Sequence, residues 1–74
     1  MTYVPSADRT AAKKMIARIQ EETGVTATVR FTNPVLGMTI HNFTVPAQTT
    51  DEQMGEIDAI LQDTYRPLFN LDRR

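Results

Sequence analysis

The chain is predicted to be an α+β domain of two layers in the order helix, strand, strand, helix (αββα). An antiparallel β-hairpin packs against the two helices. Three observations predict this. Apolar side chains recur at helical spacing over residues 7–23 and alternate at strand spacing over residues 25–32, and a capping box at residues 50–53 opens a second helical repeat.

The first helix is expected from Ala7 to about Thr23. Ser6 suits its N-cap, Asp8 places negative charge in its first turn, and Gly24 accepts the left-handed conformation that ends a helix. Ala12, Met15, Ile16 and Ile19 form one apolar stripe at i, i+3, i+4 and i+7. Lys14 and Arg18 lie opposite that stripe, and Arg9 and Lys13 flank it. Strand one, Val25 to Thr32, alternates cleanly. Val25, Ala27, Val29 and Phe31 share one face; Thr26, Thr28, Arg30 and Thr32 share the other.

Asn33-Pro34-Val35-Leu36-Gly37 carries turn formers at both ends and joins strand one to strand two, Met38 to Val45. Strand two changes parity midway: Met38 and Ile40 share one side, His41, Phe43 and Val45 the other. A β-bulge at His41-Asn42 would let Met38, Ile40, Phe43 and Val45 face the helices together and turn His41 or Asn42 to solvent or the sheet edge. The alternative is a regular strand buried on both faces, with a second copy of the chain as the cover. Pro46 ends the strand. The box Thr50-x-x-Gln53, or Thr49-x-x-Glu52 one residue earlier, opens a second helix from about Asp51 to Tyr65 with Met54, Ile57, Ile60 and Leu61 inward. Pro67 stops it. Leu68, Phe69 and Leu71 are expected to dock, and Asp72, Arg73 and Arg74 to fray. Tyr3 and Val4 could add a short third strand.

With 74 residues the chain forms a single small domain, residues 1–74, and a core of this size leaves little margin of stability. Neither disulfides nor thiolate metal sites are available without cysteine, and one histidine is too few for an ordinary zinc site. Self-association, most simply strand-edge pairing into a homodimer, is therefore expected to add stability. The net charge of -1 gives no global attraction to nucleic acid or an anionic membrane. The N-terminus lacks a secretory pattern and no apolar run is long enough to span a bilayer, so a cytoplasmic location and no membrane partner are expected.

Few residues offer chemistry. Ser6 reads as a cap, and no motif places a nucleophile beside His41, so no catalytic residue, cofactor or metal is expected. The second helix carries Asp51, Glu52, Glu56, Asp58 and Asp63 without an intervening basic residue. Glu52, Glu56 and Asp63 fall along one flank, Asp51 and Asp58 along the other. Glu52 and Glu56 repel at i, i+4, and a positive partner surface would relieve that. The expected function is thus a small non-enzymatic protein-binding module, an inhibitor or adaptor of the kind carried by phages and mobile elements. It would act through the acidic residues Glu52, Glu56, Asp58 and Asp63 and through exposed strand edges. The alternative is a nucleic-acid-binding accessory protein using Arg9, Lys13, Lys14, Arg18 and Arg30.

Overall fold

The computed structural model describes residues 6–74 and shows an α+β fold of two helices over a mixed three-stranded sheet. The elements are α1 (Ser6–Thr23), β1 (Thr28–Thr32), β2 (Ile40–Val45), α2 (Asp51–Thr64) and β3 (Phe69–Arg73). The expected strand at Tyr3 and Val4 lies outside the described residues, as does the side chain of Ser6.

Both helices end as their sequences dictate. Gly24 takes φ +77° and its N–H closes on the Gln20 carbonyl at 2.9 Å. At the start of α2 the box forms at Thr50: its N–H donates to Gln53 Oε1 at 3.0 Å, and the Gln53 N–H donates to Thr50 Oγ1 at 3.1 Å. The apolar stripe of α1 buries Ala12, Met15 and Ile19, and that of α2 buries Ile57 and Leu61. Tyr65 caps α2, its N–H bonded to the Leu61 carbonyl at 2.8 Å.

β1 pairs antiparallel with β2 from Thr28↔Thr44 to Thr32↔Ile40, with no position skipped. The expected bulge at His41-Asn42 is therefore absent. β2 begins only at Ile40, so Met38 precedes the strand and is exposed. The inward row of β2 is His41, Phe43 and Val45, each 1% exposed or less, while Ile40, Asn42 and Thr44 alternate onto the open face. The histidine that was expected to mark a break instead occupies a regular core position. The open face of β2 is half-exposed, so the strand is not buried on both sides either.

The tail also departs from expectation. Asp72 and Arg73 do not fray: with Phe69, Asn70 and Leu71 they form β3, parallel to β2 with His41↔Phe69 through Val45↔Arg73 in register. Parallel neighbours need a long crossover, and α2 supplies it. Arg73 is held at the Thr49 carbonyl (3.0 Å) and Asp51 (2.8 Å), and the Arg74 N–H reaches the Val45 carbonyl at 2.9 Å. Leu68 stays exposed while Phe69 and Leu71 pack against the core. β2 thereby becomes the central strand, and the two-stranded hairpin expected from sequence becomes part of a three-stranded sheet with helices on one face.

Phe43 meets the edges of Tyr65 and Phe69 at ring separations of 5.1 and 6.4 Å. Truncating a buried phenylalanine to alanine costs about 3–5 kcal/mol, close to the whole stability of a domain this small. Phe43→Ala is expected to abolish the cooperative urea transition followed by circular dichroism, whereas Leu36→Ala on the surface is expected to shift stability by no more than about 0.5 kcal/mol.

Candidate functional site

Three places on the domain carry chemistry or unsatisfied surface: the buried polar group at His41, the charged flanks of the helices, and the end of the sheet where β1 turns into β2.

His41 is placed inward by the parity of β2, with Phe31 of β1 edge-on to its ring at 4.8 Å. Nδ1 is hydrogen-bonded to the Tyr65 hydroxyl at the end of α2. Nε2 is buried and has no hydrogen-bond partner among the described residues. The nearest acceptor is Asp8 Oδ2 in the first turn of α1, 3.8 Å away. That carboxylate favours the tautomer with its proton on Nε2, so Nδ1 accepts from Tyr65. Burial holds the His41 pKa below 6.5, with Asp8 opposing the shift, so the pair is not an ion pair at neutral pH. Burial, seconded by Asp8, pushes the Tyr65 phenol up to about 12. The order Asp8, His41, Tyr65 is that of an acid-base relay. Both His41 and Tyr65 are buried, however, and a general base must come within hydrogen-bond reach of the proton that it takes. A cleft of about 270 Å³ at the opposite end of the sheet is lined by Gly24, Val25, Thr26, Pro46, Thr49 and Gln53 among others, and no lining side chain titrates at ordinary pH. Among the described residues no three His, Asp or Glu side chains converge as metal ligands would, and no helix is long and apolar enough to cross a membrane.

On α2, Glu52, Glu56, Asp58 and Asp63 are all exposed, and none is in an ion pair among the described residues. Only Asp51 is paired, with Arg73. Gln53 Nε2 donates to the Thr23 carbonyl, and Arg18 donates to Thr64 Oγ1 at 3.2 Å, which shows the side of α2 that faces α1. By helical spacing the row Glu52, Glu56, Asp63 lies toward that side, and Asp58 lies on the β3 side with Asp51. The structure thus divides the acidic residues between two flanks.

The basic residues are divided more widely. Arg18 is not fully turned to solvent opposite the stripe: it is half-buried between α1 and α2 and pairs with Glu22. Lys14 shares its flank, Arg9 and Lys13 lie on the flank turned away from α2, and Arg30 stands on the open face of the sheet. On that open face Asn42 bridges all three strands. Its amide donates to the Arg30 carbonyl (3.2 Å) and Thr32 Oγ1 (3.1 Å), and its oxygen accepts from Asn70 at 3.0 Å. All three phenylalanines are on the helix side, so the open face offers no ring on which a base could stack.

Sequence reasoning did not single out the third place. Val35-Leu36-Gly37-Met38 forms a tight turn in which the Met38 N–H closes on the Val35 carbonyl at 3.0 Å and Gly37 takes φ +84°. Gly37 supplies the positive φ needed at the third position of a type II turn, and Leu36 at the corner is left without neighbours. Leu36 is 105% exposed, Val35 58%, Leu68 55% and Met38 40%. The bond from the His41 N–H to the Leu68 carbonyl (2.9 Å) sets Leu68 at the same end of the sheet. The signal was present in the sequence as three large apolar residues around Gly37, inside a segment otherwise made of turn formers.

Comparison with protein-family models, curated proteins and solved structures gives no match for this chain.

Because His41 has a lowered pKa in the fold, the fold favours its neutral form. Its contribution is complete above pH 6.5 and is lost as pH falls through the folded-state value. The urea midpoint is expected to fall between pH 7 and pH 5, and the imidazole resonances of the chain's one histidine to titrate below 6.5. Tyr65→Phe is expected to cost about 1–3 kcal/mol, since it leaves Nδ1 unpaired in the core.

Proposed function

We propose that this chain is a small cytoplasmic, non-enzymatic module that binds another protein, as an inhibitor or adaptor, with the β1–β2 turn as its anchor. The observation that carries the reading is the fully exposed Leu36, set beside Val35, Met38 and Leu68 at one end of the sheet. Scattered apolar residues are ordinary on a surface, but several gathered at one end of a small domain suit an anchor that fills a partner's pocket. The unpaired acids Glu52, Glu56, Asp58 and Asp63 would act at longer range, steering a partner whose facing surface is basic. The alternative nucleic-acid reading draws no specific support. Its five basic residues stand on three different surfaces, and counterion release favours contacts concentrated along one phosphate track.

The test is capture from host lysate with immobilised wild-type protein and Leu36→Asp. Leu36 touches nothing that holds the fold together, so the variant is expected to keep its circular dichroism spectrum and urea midpoint while losing the captured partner. Identical capture by the two proteins, or capture displaced by nuclease treatment, contradicts the reading.

A further inference from the structure

The edges of the sheet differ. At β3 the charges are internally matched: Arg73 pairs with Asp51 at 2.8 Å and Arg74 lies 3.9 Å from Asp72. At β1 they are not. The outer edge of Thr28–Thr32 pairs with no other strand among the described residues. It contains no proline and no bulge, the devices that usually blunt an edge. On its helix side Val29 and Phe31 are only half-buried. The flank of α1 turned away from α2 bears Arg9, Lys13, half-buried Ile16 and Gln20 at i, i+4, i+7 and i+11, with no acid among them. Arg30 projects from the open side of the same edge. None of Arg9, Lys13 and Arg30 is in an ion pair among the described residues.

Resting on the protein-binding reading above, we propose that the β1 edge, Thr28–Thr32, accepts an extended strand of the partner whose side chains alternate apolar and acidic. The main-chain groups of β1 supply the hydrogen bonds of strand addition. The strand's apolar side chains cover Val29, Phe31 and Ile16, its acids all fall on the open face with Arg30, and Lys13 and Arg9 on α1 attract its negative charge at longer range. The strand runs on toward Leu36, so edge and anchor form one continuous surface. Charge selects this occupant over a second copy of the chain. Two β1 strands fully overlapped in antiparallel register would set Arg30 against its own copy, and like charges directly opposite are destabilising.

The test is a titration of the labelled full chain with a short synthetic peptide alternating valine and glutamate, and with its valine–lysine counterpart. The acidic peptide is expected to shift and protect the amides of Thr28–Thr32, to bind less tightly as salt rises, and to outcompete the lysine peptide. The double reversal Lys13→Glu, Arg30→Glu is expected to weaken acidic-peptide binding about tenfold or more and to favour the lysine peptide. Equal binding of both peptides, shifts confined to other elements, or no binding overturns the proposal. So does protection, in the free protein, of those β1 amides that point away from β2, whether accompanied by a dimer mass in light scattering or abolished by deleting residues 1–5. Failure of the proposal is separable from failure of the protein-binding reading. If Leu36→Asp loses the natural partner while the double reversal keeps it, the edge assignment alone falls. If lysate capture is insensitive to Leu36, the broader reading falls, whatever the peptide does.

Discussion

The inward row of β2, His41, Phe43 and Val45, is the constraint around which the domain is arranged. Among the described residues β2 is the one strand with a neighbour on each side, antiparallel β1 and parallel β3, and its inward side chains are among the most deeply buried. A two-stranded hairpin is marginal in water, and a third strand with a helical cover brings it within the range of stable folds. The parallel partner can arrive only after a crossover, so α2 is required by topology as well as by burial. Val45 and Phe43 need only apolar neighbours. His41 needs more, because an imidazole taken out of water must have its nitrogens met. The Tyr65 hydroxyl meets one, and Asp8 stands just beyond hydrogen-bond reach of the other. Among the described residues the core thus contains one incompletely satisfied polar group, and its burial favours the neutral imidazole.

How much of this was legible in the sequence depended on the range of the interaction. The α1 stripe, the Gly24 stop and the capping box at Thr50 are written within a few residues of one another and appear where expected, and the alternation expected from Val25 persists, with Val25 and Ala27 buried, although β1 itself begins only at Thr28. β3 was not read, although Phe69-Asn70-Leu71-Asp72 alternates at strand spacing. Its partner lies more than twenty residues away across a helix, and nothing local announces that pairing. The bulge was misread for a related reason. Met38 and Ile40 looked like core by hydrophobicity, whereas the core took the parity of Phe43 and Val45, which carries His41 inward to the Tyr65 hydroxyl.

The candidate surfaces divide in the same way. The acids of α2 and their division between two flanks were visible in the sequence, but which flank faces α1 and which faces β3 required the contacts of Gln53, Thr64 and Asp51. The basic residues were already divided in the sequence between two sides of the first helix and Arg30 of the first strand, and the structure keeps them on three surfaces. The apolar turn at Leu36 was hidden among turn formers, and only the geometry of the turn shows that it has nothing to pack against.

Amide hydrogen exchange of the intact chain tests the central place of β2 most directly. If β2 is paired on both sides, its amides exchange only through global unfolding, and those amides of Phe69–Arg73 that bond to β2 are protected with them. Free exchange throughout Phe69–Arg73, with β2 protected by β1 alone, would contradict the three-stranded sheet on which the burial of His41 and the arrangement of both edges depend.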